Sequence, residues 1–244
     1  MSKHFGEVLT AMVTPFDKDL NVDFKQIRKL ASHLLNNGSD GLVVLGTTGE
    51  VPTLTKEEKI KILETVVDEV GREATIVAGT GSYSTDASID MTIKAEKIGV
   101  DGIMIVAPYY NKPPQSGLYK HYSMIADSTS LPVMIYNVPG RTSRNIEVET
   151  VTRLAEIENI IAVKEASGNM AQISNLASSL PDDFYIYSGD DKLTLPVLSV
   201  GGQGIISVAA HLVGNDIKEM VKAYKSGDVN KAIEINKKLN CIFS

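Results

Sequence analysis

The sequence predicts an α/β protein whose fold is a (β/α)8 TIM barrel with a short, incomplete C-terminal helical extension. Eight short apolar runs alternate with stretches of helical spacing along the 244 residues, and no change of composition marks a second large domain. Repeated strand–helix units require parallel strands that are covered by helices. Eight units in roughly 225 residues match the usual size of this barrel. A doubly wound open sheet is the alternative.

The eight predicted strands are apolar runs that are short enough to be buried strands. In chain order they are VLTAMVT, GLVVLG, ATIVAG, DGIMIVA, LPVMIYNV, IIAVK, FYIYSG and QGIISV. Because a helical stretch follows each of them, we expect all eight strands to be parallel and their carboxyl ends to lie on one rim.

The helical stretches carry recognisable start and stop signals. The first, DFKQIRKLASHLLNNG, has apolar residues at helical spacing and ends at Gly38. The second begins with the capping box Thr55-x-x-Glu58 and ends at Gly71. Further helices are predicted to begin near Asp86, Gln115, Ile146, Asn169, Lys192 and Asn215.

The last part of the chain predicts a ninth helix after the barrel, with Asp228 as its N-cap. We assign residues 1–225 to a catalytic (β/α)8 barrel and residues 226–244 to the remnant of a C-terminal helical domain. The helix leads into CIFS, which is apolar and has no capping signal. This end is expected either to pack on a partner or to lack a segment that would follow it.

Composition and charge exclude several classes of function. The net charge is −6 and no block is rich in Lys and Arg, which argues against nucleic acid or an anionic membrane as partner. The single cysteine, Cys241, excludes an intrachain disulfide and fits a reducing compartment. The first residues show no signal peptide, and no apolar run reaches membrane-spanning length. A cytoplasmic location is expected.

In a barrel of this kind, function is carried by the loops that follow the strands. The polar residues in those loops are Thr47 and Thr48 in GTTGE, Tyr109 and Tyr110 in PYYNK, Tyr136 and Arg141 in YNVPGRT, and Lys164 after IIAV. Hydroxyls, phenols, one amine and one guanidinium are therefore expected to meet on one rim.

Lys164 is the most unusual of these residues, because it ends a run that is otherwise apolar. It shares a strand face with Ile160 and Ala162, whereas Glu165 points to the opposite face. An apolar interior lowers the pKa of a lysine and yields a neutral amine that can attack a carbonyl. A salt-bridged or solvated lysine is the commoner case at a strand end. Tyr136 ends the preceding strand and could transfer protons, although a core ring with a satisfied hydroxyl is commoner.

Motifs for metals and organic cofactors are weak. GTGSYS has Ser84 where the dinucleotide fingerprint needs its third glycine, so it is interpreted as a turn. The four histidines lack the spacing of metal ligands. Asp190 and Asp191 are interpreted as the N-cap of the helix near Lys192. We therefore predict no metal and no cofactor.

Taken together, GTTGE, YYNKP, YNVPGRT and Lys164 resemble the dihydrodipicolinate synthase family, in order from about Gly6 to Leu239. Lys164, Tyr136 and GTTGE alone would indicate only the wider class of pyruvate-dependent aldolases that form Schiff bases. Arg141 favours the synthase, since members of that family use this arginine for the carboxylate of aspartate semialdehyde.

The resemblance implies a lyase-type condensation of pyruvate with L-aspartate-4-semialdehyde through a Schiff base on Lys164. The product would be 4-hydroxy-tetrahydrodipicolinate, in diaminopimelate and lysine biosynthesis. Tyr136, Thr47 and Tyr110 would form a proton relay. Thr48 and the backbone near Ile206 would bind pyruvate, and Gly189 lies in the matching loop after the seventh strand. The lysine would itself provide the electron sink, so no cofactor is implied.

The resemblance also implies a homodimer or homotetramer, because the residue matching Tyr110 reaches into a neighbouring subunit's site. Two alternatives stay open. One is another pyruvate-dependent class I aldolase, of the sugar-acid or N-acetylneuraminate lyase type. The other is an inactive, truncated pyruvate-binding protein, since the resemblance breaks off near Leu239. The shortened end is expected to reduce stability or alter assembly.

Lysine regulation is expected to be absent. Lysine-inhibited members of the family have histidines at the positions of Lys56 and Lys59, and an asparagine and a glutamate at those of Tyr83 and Ala87. Two cations in place of the histidines, together with the missing acid, disfavour an effector that carries an ammonium group.

Overall fold

Eight parallel strands form a closed barrel in the computed structural model, which describes residues 4–243. The strands are β1 (Val8–Ala11), β2 (Gly41–Val44), β3 (Thr75–Gly79), β4 (Gly102–Val106), β5 (Val133–Asn137), β6 (Ile160–Glu165), β7 (Tyr185–Ser188) and β8 (Gly204–Ser207). Each strand pairs with the next one along the chain, and β8 pairs with β1. The predicted barrel is confirmed, and the open sheet is excluded by the closing pair.

Helices surround the barrel. They are α1 (Phe24–Asn36), α2 (Lys56–Val70), α3 (Thr85–Ile98), α4 (Gln115–Ala126), α5 (Pro139–Thr142), α6 (Val148–Leu154), α7 (Met170–Ser179), α8 (Thr194–Ser199), α9 (Ala210–Lys225) and α10 (Val229–Leu239). The predicted capping box of α2 is present, because the Thr55 hydroxyl accepts from the Glu58 amide and the Glu58 carboxylate accepts from the Thr55 amide. None of these helices, within residues 4–243, is both long and apolar enough to span a membrane.

Two helices differ from the prediction. Helix α9 begins ahead of the predicted start at Asn215 and is interrupted at Val213, where the backbone is not helical. Directly after this kink, a Cβ on Gly214 would lie 2.2 Å from the carbonyl oxygen of Asn37, so α9 approaches the end of α1 closely. Helix α5 lies inside the YNVPGRT motif and was not predicted, since four residues are too few to show a period.

Alternate strand residues fill the inside of the barrel, as a period of two requires. The buried interior residues include Leu9, Val43, Val77, Met104, Met134, Ala162, Tyr187 and Ile206. At the amino end of the strands, the Tyr187 hydroxyl donates to the carbonyl of Gly6 and accepts from the amide of Phe5. The bottom of the barrel is therefore packed, and polar chemistry is concentrated at the carboxyl end.

Helix α10 packs against α9 through Ala232, Ile235 and Leu239, which are buried in one apolar cluster. The predicted cap is present, since the Asp228 carboxylate accepts from the amide of Lys231 at 3.1 Å. Phe243 packs partly buried on the same cluster. The division of the chain at residue 225 stays a prediction.

Candidate active site

Strands β5 and β6 bring two inward-facing side chains together at the carboxyl end of the barrel. Tyr136 and Lys164 are register partners, and each is only 5% exposed. The Nζ atom of Lys164 lies 4.2 Å from the centroid of the Tyr136 ring, where the π electrons attract a cation. Within residues 4–243 no acceptor forms a hydrogen bond or ion pair with this amine. The amine is thus buried with little compensation for its charge.

Burial has a direct effect on the protonation of Lys164. Desolvation lowers its pKa from an ordinary value of 10.5 to about 8, while the charge of Asp191 raises this pKa and the charge of Arg141 lowers it. At pH 7 roughly a tenth of such amines are neutral, against fewer than about one in a thousand for an ordinary lysine. The neutral amine is the form that attacks carbonyl groups.

Tyr136 keeps its proton at neutral pH. Burial raises the pKa of its phenol, and the Thr47 hydroxyl and the Arg141 charge oppose this increase. Thr47 begins a single 3₁₀ turn at residues 47–49, directly after β2. A protonated phenol beside an amine and a threonine hydroxyl can pass a proton between neighbouring groups.

A cavity of about 230 Å³ opens beside Tyr136. Its polar wall consists of Thr47, Tyr109, Tyr136 and Arg141. The remaining wall is formed by Leu45, Gly46, Val51, Pro52, Gly79, Gly81, Met104, Val106, Val138 and Thr142. Lys164 does not line the cavity, but its Nζ atom lies against the ring of Tyr136, which does. A small organic acid would meet one guanidinium and the hydroxyls of Thr47, Tyr109 and Tyr136, whereas the Thr142 hydroxyl is bonded to backbone carbonyls.

The GTTGE loop is held in an unusual conformation. Leu45, which precedes the motif, and Glu50, its last residue, have positive φ values of 60° and 55°, a region that non-glycine residues rarely adopt. A Cβ on Gly79 would lie 2.2 Å from the carbonyl oxygen of Leu45, so β3 fits against this loop only because residue 79 is glycine. Such conformations cost of order 1 kcal/mol or more and concentrate at functional sites.

Gly189 is close to the amine-bearing side chain. Its amide donates to the carbonyl of Glu165 at 2.8 Å. A Cβ at this position would lie 3.1 Å from Cε of Lys164 and 2.7 Å from Cβ of Ala166. The absence of a side chain at residue 189 therefore leaves room for Lys164.

The other predicted binding residues lie around the same end of the barrel. Ile206 is buried inside the barrel and pairs in register with Leu9 on β1. Thr48 is half-buried in the turn that starts at Thr47, but it does not line the cavity.

Tyr110 lies outside the cavity of its own chain. It is 82% exposed, whereas its neighbour Tyr109 lines the cavity. Tyr83 contacts both rings, with centroids 5.5 Å from Tyr109 and 6.3 Å from Tyr110. The PYYNK motif therefore contributes its first tyrosine to this chain's cavity and presents the second to the outside.

The interpretation of Asp190 and Asp191 as a helix cap is confirmed for Asp190, whereas Asp191 lies in the first turn and its carboxylate has distant partners. Asp190 does cap the turn that follows it. Asp191 instead accepts hydrogen bonds from the Ser207 hydroxyl and from the amides of Val208 and Ala209, at the end of β8. No local pattern indicates these contacts, because the partners lie 16 to 18 residues away.

A second cavity of about 250 Å³ is lined by three of the residues from which the sequence predicts insensitivity to lysine. Lys56, Lys59 and Ala87 line it, and it shares Val51, Gly79 and Gly81 with the first cavity. The two cavities are therefore adjacent.

The two lysines that line the second cavity differ in their ion pairing. Asp90 forms ion pairs with both Lys56 and Lys94. Lys59 has no ion-pair partner among the described residues, and burial lowers its pKa. Tyr83 does not line this cavity but packs on the tyrosines of the PYYNK loop.

The outer face of the same strands carries a polar network. Glu165 is 1% exposed, and its carboxylate accepts from the Asn137 side-chain amide at 3.2 and 3.0 Å. It also accepts from the Gln172 amide group at 3.0 Å and from the backbone amide of Ser167 at 2.7 Å. Glu165 therefore does not pair with Lys164, in agreement with the opposite faces expected from the sequence.

No cluster of three or more His, Cys, Asp or Glu side chains that could hold a metal ion occurs between residues 4 and 243.

Comparison with known proteins supplies independent information. The sequence model of the "Dihydrodipicolinate synthetase family" matches residues 4–244. A 4-hydroxy-tetrahydrodipicolinate synthase of Desulforudis audaxviator is 61% identical over 239 residues, which is 98% of this chain and 81% of that protein.

Solved structures give the same result. A dihydrodipicolinate synthase from Bacillus anthracis is 52% identical, with a TM-score of 0.94 over 96% of this chain and 80% of that one. A relative from Cyanidioschyzon merolae, solved with lysine bound, is 45% identical, with a TM-score of 0.95 over 98% of this chain and 82% of that one.

Proposed function

The chain belongs to the dihydrodipicolinate synthetase family, and from this membership and the geometry we infer how its residues act. The chain condenses pyruvate with L-aspartate-4-semialdehyde to give 4-hydroxy-tetrahydrodipicolinate, a step of diaminopimelate and lysine biosynthesis. The observation that carries the account of individual residues is the burial of Lys164 against Tyr136, with a pKa of about 8.

Lys164 is the nucleophile of the first half-reaction. Its neutral Nζ attacks the keto carbon of pyruvate, and the resulting carbinolamine loses water to form an iminium ion. Tyr136 is protonated and adjacent, so its phenol donates the proton that lets hydroxide leave as water. The iminium then withdraws electrons, a methyl proton leaves, and an enamine forms.

Thr47 and Tyr110 complete the proton relay. A hydrogen bond with the Thr47 side chain lowers the pKa of the Tyr136 phenol, and Thr47 also lines the cavity. Tyr110 is too exposed to act in its own chain's cavity, so in this proposal it serves the site of a neighbouring subunit. This role requires at least a homodimer, and a homotetramer built from dimers would meet the same requirement.

The second half-reaction uses the other side of the cavity. Arg141 lines it and presents a cation to the carboxylate of L-aspartate-4-semialdehyde. The enamine carbon attacks the aldehyde, and the amine of the bound substrate then displaces Lys164 by transimination, which closes the ring. Thr48 and the backbone at Ile206 hold the pyruvate carboxylate, while Gly189 leaves space for the lysine chain.

The expected setting of the enzyme follows from composition and family. We propose a cytoplasmic location, because the chain has one cysteine and its substrates are small metabolites. Arg141 lines the cavity, and this position favours the synthase activity over the sugar-acid aldolase alternative.

We further propose that this enzyme is insensitive to lysine. Lys59, which lines the second cavity, has no ion-pair partner in the part of the chain that the structure describes, and Asp90 in the same cavity already pairs with Lys56 and Lys94. An ammonium-bearing effector would therefore meet excess positive charge. Turnover is expected to be unchanged at millimolar lysine, and clear inhibition in that range would refute the proposal.

Borohydride trapping tests the proposed nucleophile. After addition of pyruvate and reduction, intact-mass and peptide mass spectrometry should locate one adduct per chain, on Lys164. The Arg141→Met variant should still form this adduct, while its kcat/KM for the aldehyde falls by at least about tenfold with the lost charge-assisted hydrogen bonds. An adduct on another lysine, or no adduct, contradicts the assignment; an adduct without turnover favours the inactive pyruvate-binding alternative.

A further inference from the structure

We propose that Asp191 is a positioning residue for this reaction, because it fixes the loop that follows β8 and places a negative charge near the amine of Lys164. The proposal rests on the inferred role of Lys164 as the Schiff-base lysine.

Asp191 connects two loops of the catalytic rim. One carboxylate oxygen accepts from the Ser207 hydroxyl, and the other accepts from the amides of Val208 at 3.1 Å and Ala209 at 3.0 Å. The Ser207 oxygen in turn accepts from the amide of Ala210 at 2.8 Å. The carboxylate thus joins the turn after β7 to the end of β8 and the start of α9.

This connection bears on substrate binding. The loop held by Asp191 begins at Ser207, which directly follows Ile206 in β8. The backbone at Ile206 is the proposed partner of the pyruvate carboxylate. Loss of the carboxylate contacts would allow that backbone to shift, so the affinity for pyruvate depends on Asp191 in this account.

The turn that carries Asp191 also contacts Lys164. Gly189, two residues earlier in that turn, lies so near that a Cβ on it would be 3.1 Å from Cε of Lys164. The charge of Asp191 acts on the Lys164 amine with a sign opposite to that of Arg141.

Apart from Arg141 and Asp191, the titratable groups that face Lys164 among residues 4–243 are phenols. Tyr136 on β5 is neutral below its raised pKa. Tyr187, the register partner of Lys164 on β7, directs its hydroxyl to Gly6 at the opposite end of the barrel. Among the described residues packed around the amine, Asp191 is therefore the group that offsets the Arg141 cation.

This offset matters because the iminium carries the same positive charge as the protonated amine. With Arg141 acting alone, the amine would lose its proton at lower pH. Above the pKa of the amine, the iminium forms from the neutral amine and consumes a proton. A lower pKa would therefore make the iminium less stable relative to the neutral amine and pyruvate.

The test compares Asp191→Asn with two other variants. The initial rate of pyruvate-adduct formation, trapped by borohydride and followed by mass, should rise with pH. The midpoint of this rise should lie at least about 0.5 pH unit lower in Asp191→Asn than in the wild type. Asp190→Asn removes the same charge from the adjacent residue and should leave the midpoint where it is. Ser207→Ala keeps the charge and loses a loop contact, so the midpoint should stay while KM for pyruvate rises more than kcat falls.

The outcomes are distinguishable from failure of the proposed function. If the wild-type protein forms no adduct at Lys164, the function assignment fails. If it forms the adduct but Asp191→Asn has an unchanged midpoint, or Asp190→Asn shifts it equally, only the role of Asp191 is overturned. Should Asp191→Asn fail to fold, as judged by circular dichroism, a folded Ser207→Ala with wild-type KM for pyruvate contradicts the proposal.

Discussion

The inner and outer faces of one strand show two ways to bury an ionisable group. On the outer face, the Glu165 carboxylate receives hydrogen bonds from Asn137, Gln172 and Ser167. On the inner face, Lys164 has the Tyr136 ring and no hydrogen-bond acceptor among the described residues. Both side chains are buried and are adjacent in sequence. The difference shows that hydrogen bonding, not burial alone, separates a structural ion from a reactive group.

The lowered pKa of Lys164 has a cost in folding stability. Lowering the Lys164 pKa from 10.5 to about 8 corresponds to about 3 kcal/mol of destabilisation when the amine is charged. Between these two values the unfolded state binds more protons than the folded state, so this contribution makes stability rise with pH. The penalty is complete below about pH 8 and absent above about pH 10.5.

The largest expected effect comes from removing the inner amine. Lys164→Met should lower kcat by at least about 10³-fold and abolish the pyruvate adduct, because no other residue described on the inner face of the barrel carries an amine. Turnover assays and intact mass after borohydride reduction check this expectation. Retention of more than a tenth of the wild-type kcat would show that Lys164 is not the nucleophile.

The same variant should be more stable than the wild type. At pH 7, Lys164→Met is expected to raise the free energy of unfolding by up to about 3 kcal/mol, since it removes a poorly compensated buried charge. The gain should disappear as pH rises from 8 to 10.5. Urea unfolding at several pH values measures it, and equal or lower stability at pH 7 would contradict the account of the inner face.

The outer face should respond in the opposite way. Glu165→Ala leaves several buried donors without an acceptor and should lower the free energy of unfolding by about 3 kcal/mol. The exposed Glu156, in the loop before β6, offers a matched control: Glu156→Ala should change stability by less than about 0.5 kcal/mol. Equal effects of the two substitutions, in the same urea unfolding assay, would remove the contrast between the faces.

A smaller effect is expected from crowding the inner face. In Gly189→Ala the new methyl group would contact Lys164 and Ala166, so adduct formation should slow by about tenfold as the amine is displaced. Gly140→Ala is the control, because a Cβ there meets nothing within 4 Å. Borohydride quenching at several times after pyruvate addition gives the rates of adduct formation. Equal rates in both variants would show that the space at residue 189 is not needed for adduct formation.

The sequence predicted much of this arrangement because it depends on local patterns. The alternation from Ala162 to Glu165 placed Lys164 inside and Glu165 outside, and the eight strand–helix repeats predicted the barrel. The predicted shared face of Ile160 and Lys164 is wrong, because the β5–β6 pairing shifts register at this end and Ile160 packs with Val163 outside the barrel. The role of Asp191 was missed because its partners lie beyond the reach of any local motif. Which of Tyr109 and Tyr110 enters the cavity depends on the conformation of the PYYNK loop, which residue types alone do not determine.

The most direct test of the central claim is the pH dependence of pyruvate-adduct formation in the wild-type enzyme. Initial rates of adduct formation at pyruvate well below its KM, trapped with borohydride and quantified on the Lys164 peptide, should rise with pH and level off with a midpoint near 8. A midpoint near the ordinary lysine value of 10.5 would mean that the barrel interior does not activate the amine.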